Sequence, residues 1–172
     1  WFNILDQYGA AKRGHKATAQ FLFDRHRVTG WWAQTITVEY ERMRGLRKLG
    51  QKETGWEVSV QRTIQATKMD AWSALVDDDA ALAWLRKGPA PRKRNMPWTP
   101  SSTDRIKGTF RAAWDEGTGR PATRIDITIT PTGTTKVAVR VQHTKLPSAT
   151  ARKQRQAQWG RALDALKTSL ES

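Results

Sequence analysis

The sequence contains no cysteine. Thiolate nucleophiles, Cys-based metal sites and disulfides are therefore excluded, and the composition fits a reducing cytoplasm, the expected location. No apolar run approaches the ~20 residues that a membrane-spanning helix requires, and the first residues do not read as a signal peptide. Trp1 rather than methionine comes first, so a preceding segment is expected. Phosphate-cradling glycine loops, His-x-x-x-His pairs and recognisable Ser/His/Asp arrangements are missing as well. The three histidines, His15, His26 and His143, fall in unrelated elements. His15 and His26 share a face of one basic helix, where surface or packing roles are commoner than metal ligation. Neither cofactor nor metal is expected.

Acidic residues are scarce. Sixteen stand against 30 basic ones, giving a formal charge of +14. Such an excess suggests a polyanionic partner, but its distribution weakens the suggestion. It is +5 over residues 1–50, +2 over 51–100 and +7 over 101–172. A dispersed excess fits a basic solvated surface, and any nucleic-acid binding is expected to be nonspecific and salt-sensitive.

The 172 residues suffice for one full domain, or one domain with a small appendage. Ile125, Ile127 and Ile129 alternate with polar residues, as do Val137, Val139 and Val141 beyond the turn Pro131-Thr132-Gly133, which predicts a half-buried antiparallel hairpin. Trp159, Leu163, Leu166 and Leu170 then recur at steps of four, three and four, the stripe of one helical face. A sheet face and a helix stripe of this kind must meet.

Residues 1–50 read as helical. One run carries Trp1, Ile4, Leu5 and Tyr8 and ends at Gly9; a second carries Ala17, Phe21, Leu22 and Val28. A third, after Thr29-Gly30, packs Trp31, Trp32, Ile36, Tyr40 and Met43, places Arg42, Arg44, Arg47 and Lys48 in its last turns, and stops at Gly50. The Gly30 break is similar to a helix-turn-helix, but that packing and the late cations oppose base recognition, which uses a helix's first residues. Past a polar link, Trp56, Val58, Val60 and Ile64 mark a strand whose apolar side Arg62 interrupts. Helices through Trp72 and Leu75 and, after Asp77-Asp78-Asp79, through Trp84 and Leu85 follow. Gly88 to Thr103, with four prolines and Arg92-Lys93-Arg94, reads as a surface loop. The next strand is expected from Ile106 through Phe110, Ala112 and Trp114, turning at Asp115 to Gly119.

This order over residues 55–172 resembles the helix-grip fold of the START-like, polyketide-cyclase-like superfamily, and within it the branch similar to the C-terminal domain of the activator of Hsp90 ATPase. The matching segments are Val58 to Ile64 with Trp72 and Leu75, Trp84-Leu85, Phe110 to Gly117, Thr135 to Val139 leading to His143-Thr144-Lys145-Leu146-Pro147, and the helix of Trp159, Leu163 and Leu166. Two further early strands that the fold expects are not evident; they lie within Pro97 to Thr109, or the sheet is reduced. Residues 1–50 look like a small bacterial helical domain of unknown function, carried by Gly30-Trp31-Trp32-Ala33-Gln34, Thr37-Val38, Tyr40-Glu41 and Arg44-Gly45-Leu46-Arg47. An α+β helix-grip domain preceded by a three-helix segment is the expected architecture.

The resemblance implies a cavity between sheet and C-terminal helix, lined by Phe110, Trp114, Ile127, Val139, Trp159 and Leu163 with Trp72 beside them. A solid core filled by the same side chains is the alternative. Arg62 and His143 stand in phase with apolar neighbours and would orient a ligand's polar head, unless His143 reaches solvent at the sheet's edge. The expected function is binding of a small apolar or amphipathic ligand without turnover. A protein-interaction or co-chaperone-like module is the alternative, ahead of a DNA-binding regulator.

Overall fold

The computed structural model describes residues 1–48, 51–52, 54–89, 97–115, 119 and 121–172. The stop expected at Gly50, the triplet Arg92-Lys93-Arg94 and the turn residues Glu116-Gly117-Thr118 lie outside these. Contacts divide the chain into Trp1–Gln51 and Lys52–Ser172.

The first unit contains four helices: α1 (Phe2–Tyr8), α2 (Ala10–Arg13), α3 (His15–His26) and α4 (Gly30–Met43). Gly9, at φ 74°, ends α1 in the left-handed conformation that glycine adopts without a Cβ clash. The buried face of α4 is Ala33, Thr37 and Tyr40, spaced one and two turns apart. These meet Leu5, Ala10, Ala19 and Leu22. Small residues let the helices approach, and the bulky ones are left outside. Trp31 is 69% exposed and Trp32 55%, their rings edge to face at 4.7 Å, and Trp1 and Met43 are exposed too, contrary to the packing expected of them.

Of the cations expected in the last helical turns, Arg42 lies there, and Arg44, Arg47 and Lys48 fall beyond the helix. The helix stops at Met43, and after Gly45 (φ 70°) the amides of Leu46 and Arg47 bond back to the Glu41 carbonyl. That closure turns Arg47 onto Glu41 at 3.3 Å, while Arg44 pairs with Asp6.

The second unit is an α+β helix-grip fold. Its strands are β2 (Gly55–Ile64), β3 (Trp98–Asp104), β4 (Thr109–Trp114), β5 (Thr123–Pro131) and β6 (Val137–Leu146), with the two-residue β1 (Gln51–Lys52) preceding them. Helices α5 (Lys68–Val76) and α6 (Asp78–Leu85) follow β2, and α7 (Ala149–Glu171) closes the chain. The sheet order is β1-β2-β6-β5-β4-β3. Ile125 pairs with His143, Ile127 with Val141 and Ile129 with Val139, so the two alternating runs of the hairpin share one face. Trp159, Ala162, Leu163 and Leu166 of α7 are buried on that face.

Two boundaries differ from expectation. Residues 98–104, expected in a loop, are the edge strand β3 on β4. An edge strand tolerates Pro100 and needs only one buried apolar residue, here Trp98, so no alternation betrays it. Ile106, expected to begin β4, is 90% exposed in the turn that Asp104 Oδ1 closes on the Lys107 amide. One of the strands expected within Pro97 to Thr109 is thus present as β3. Among the described residues, no helix is long and apolar enough to cross a membrane.

Caps fix the short helices. Thr67 and Asp70 form a reciprocal capping box at α5, and Asp77 Oδ1 accepts the Ala80 amide at 2.9 Å to start α6. The Trp84 indole donates to the Ala74 carbonyl at 3.0 Å, tying α6 to α5. Just beyond α6, Gly88 presses on α7: a Cβ there would lie 2.6 Å from the Ala162 Cβ. Gly88→Ala should therefore cost about 1–3 kcal/mol in urea unfolding, whereas Gly133→Ala, with open space around it, should change stability by less than about 0.5 kcal/mol. Equal midpoints for the two variants would show that the end of α6 yields freely.

Candidate functional site

The sheet–helix interior contains most of the residues implicated by sequence. Phe110 and Trp114 rise from β4, Ile127 from β5, Val139 and His143 from β6, and Trp159 and Leu163 descend from α7; all belong to one buried cluster, or in the case of His143 lie against it. Trp72 is buried on α5 in the same cluster. The rings pack on one another: Trp114 on Trp159 at 5.3 Å, Trp98 on Phe110 at 5.2 Å and Trp84 on Trp159 at 6.4 Å between centroids. Aromatic pairs at such spacing contribute about 0.5–1.5 kcal/mol beyond their buried area. Trp84 and Trp98 complete the cluster and were not among the residues expected there.

His143 is fully buried, on a strand with neighbours on both sides, not at the sheet's edge. The Trp159 indole N–H donates to His143 Nδ1 at 3.0 Å, and Nε2 lies 2.7 Å from Thr123 Oγ1. An indole nitrogen only donates, so Nδ1 must hold a lone pair and the ring proton sits on Nε2, which donates to Thr123. The Thr123 hydroxyl is in turn 3.4 Å from the Trp114 carbonyl. Burial, and secondarily the positive charge of Arg155, lowers the His143 pKa to about 3. Both imidazole nitrogens are thus occupied by protein partners.

Arg62 is separate from this cluster. Its Nε donates to Asp164 Oδ1 at 2.6 Å, tying β2 to α7 near the surface. The hydrogen bond from Arg62 holds the Asp164 carboxyl below its ordinary pKa. In the first unit, His15 bonds Glu41 and Gln34 at 3.0 and 2.6 Å, and His26 stacks edge-on against Phe21 and Trp1.

A groove of about 680 Å³ runs between α5–α6 and the outer side of α7. Ala80, Ala83, Trp84, Ala165 and Leu166 form its apolar walls, with Lys87 and Arg161 among its lining residues. The Arg161 Nε is 3.4 Å from the Lys87 carbonyl, which holds the guanidinium there. Trp84 belongs to both places, lining the groove and backing onto Trp159. The sequence signal for this groove was the run of alanines at 80, 81 and 83, which leaves a helix surface without bulk.

No protein-family model and no curated protein matches the sequence. Solved structures do share the fold. An uncharacterised protein from Bacillus thuringiensis aligns over 67% of this chain and 99% of its own at 12% identity, with a TM-score of 0.54. The protein Aha1 of Colwellia psychrerythraea, solved as a dimer, aligns over 67% and 96% at 18% identity and a TM-score of 0.54. A Mesorhizobium loti protein aligns over the same shares at 20% identity and 0.53. At these identities the likeness is one of fold alone.

The His143 geometry generates a pH dependence. Below about pH 6.5 the unfolded chain takes up a proton that the folded imidazole refuses until about pH 3. Stability is then complete above pH 6.5 and falls by about 1.4 kcal/mol per unit as pH drops through that window. Urea unfolding at pH 7.5, 5.5 and 4.5 should show a steeper loss for the wild type than for His143→Leu, which at pH 7.5 is itself about 1–3 kcal/mol less stable because the Trp159 N–H loses its acceptor. Parallel pH profiles would refute the buried neutral ring.

Proposed function

We propose that the second unit is a START-like binding module for a small amphipathic molecule with an anionic head, held without turnover. The groove between α5–α6 and α7 supports this reading most directly. Its walls include alanine, leucine and tryptophan, over which an apolar chain would lose its hydration, and the cations Lys87 and Arg161 would meet a carboxylate or phosphate, the lining carboxylate Asp164 being taken up by Arg62. The ring cluster of Phe110, Trp114 and Trp159 serves as the rigid backing that keeps the groove open. Arg62 and His143, each bonded within the protein, contribute to the shape of the site rather than to the ligand's head.

A second reading, an interaction module, is favoured by one observation: the exposed Trp31–Trp32 pair of the first unit, an apolar surface of the kind found at protein interfaces. The Hsp90-activator-like resemblance belongs with this alternative.

A thermal-shift screen of medium- and long-chain carboxylates, the corresponding alcohols, sterols and aromatic polyketide-like acids tests the first reading. Carboxylates should raise the melting temperature, the stabilisation reaching about 2.7 kcal/mol at a hundredfold over the dissociation constant. Ala83→Trp, which fills the groove from an exposed position, should abolish the shift. Arg161→Gln should weaken it for acids and not for alcohols. If no compound shifts the wild type, or if Ala83→Trp responds like the wild type, the groove is not a ligand seat.

A further inference from the structure

Trp31 and Trp32, which favour an interaction module, have surroundings that narrow the partner. Helices α3 and α4 are joined by Arg27, Val28 and Thr29 alone. His15, the first residue of α3, bonds Glu41 near the end of α4 at 3.0 Å, so the two helices run antiparallel and their turn forms one end of the unit. It is held tightly. Val28 donates its amide to the Leu22 carbonyl at 3.2 Å, and Arg27 takes the left-handed φ of 52° that such a closure requires. The two indoles open α4 directly beyond this turn and stay exposed.

Charge is divided between the ends of the hairpin. Of the first unit's four carboxylates, three are engaged toward the C-terminal end of α4: Asp6 by Arg44, Glu39 by Arg42, and Glu41 by His15 and Arg47. The fourth, Asp24, accepts from Gln20 at 2.9 Å. Arg25 and Arg27 are exposed and have no hydrogen-bond or ion-pair partner among the described residues, and the first turn of α4 contains no acid. Two free guanidiniums thus accompany two indoles, in a chain whose formal charge is +14.

The extent of the patch decides its occupant. A helix that lies in a protein groove presents apolar residues over several turns. Here the exposed side of α4 turns polar at once, with Gln34 and Glu39, while Ala33, Thr37 and Tyr40 are committed to the unit's own interior. The apolar surface is a cap on one end of a rigid hairpin, not a stripe along it. Tryptophan suits the boundary of a membrane, where its ring enters the apolar layer and its N–H stays with water and headgroups, and arginine beside it meets anionic headgroups.

We infer that this end of the first unit docks on the surface of an anionic lipid bilayer, with Trp31 and Trp32 entering the interface and Arg25 and Arg27 on the headgroups. The inference rests on taking the indole pair as a docking surface and is independent of the groove in the second unit. Co-sedimentation of the full chain with vesicles of phosphatidylcholine containing about 30% phosphatidylglycerol, and with vesicles of phosphatidylcholine alone, tests it. Binding should be about tenfold or more tighter to the anionic vesicles and should weaken as salt is raised from about 0.1 to 0.5 M. Trp31→Ser with Trp32→Ser should reduce it about tenfold or more at an unchanged melting temperature. Arg25→Gln with Arg27→Asn should do the same, asparagine being compatible with the left-handed backbone. Arg42→Gln, toward the other end of α4, should leave binding within about twofold of the wild type. No binding to the anionic vesicles, equal binding to both kinds, or wild-type binding by the tryptophan variant would overturn the assignment. If neither vesicle binds and sedimentation equilibrium shows a dimer that the tryptophan variant loses, the pair serves a second copy of this chain; the interaction reading then stands and the lipid surface falls.

Discussion

The hydrogen bond from the Trp159 indole to His143 sets the position of the long helix on the sheet. Apolar packing is non-directional and would let α7 slide or rotate over the isoleucines and valines beneath it. A buried N–H must find an acceptor, and the one within reach lies on β6. From there the chain of donors passes to Thr123 on β5 and the Trp114 carbonyl on β4, so one helix and three strands are registered by a single line of polar atoms. The aromatic cluster is assembled around that line.

The same line explains which parts of the architecture were legible in the sequence. Ile125 to Ile129, Val137 to Val141 and the stripe through Trp159 repeat with the period of their element, because burial on one face leaves no freedom in spacing. His143 was visible as a polar residue in an apolar phase, though its partners were not, since Thr123 and Trp159 come from other elements. Strand β3 left no pattern because an edge strand is half-solvated and its burial is confined to Trp98. Trp31, Trp32 and Met43 misled for the opposite reason. Their apolarity resembles a packing stripe, while the helix contact runs through Ala33, Thr37 and Tyr40, whose small or polar members give little hydrophobic signal. The bulge at which Thr144 and Lys145 of β6 face Glu57 of β2 left no trace in the sequence, because the left-handed backbone angle at Lys145 depends on register rather than on residue type.

The two sides of α7 divide the work of the second unit. Its inner side is committed to tryptophan, leucine and alanine in full contact with the sheet. Toward α5 and α6 the helix presents Ala165 and Leu166 beside Trp84, and the groove opens among them. Gly88 and Ala162 hold the helices at backbone distance at one end, which fixes the groove's width without filling it.

The sheet order has a consequence for how the chain is made. Strand β2 leaves the ribosome before the other long strands of its sheet, yet its partner β6 lies far ahead, with Val58 paired to His143, 85 residues further on. Until Val137 onward has been synthesised, β2 carries an open edge on its central side. Such an edge invites pairing with other chains. Helices α5 and α6 follow it at once and are the local cover available in that interval. Closure of the sheet is therefore a late, long-range event, of the slow kind that high contact order imposes, and a nascent chain halted before β6 is the species most in need of a chaperone.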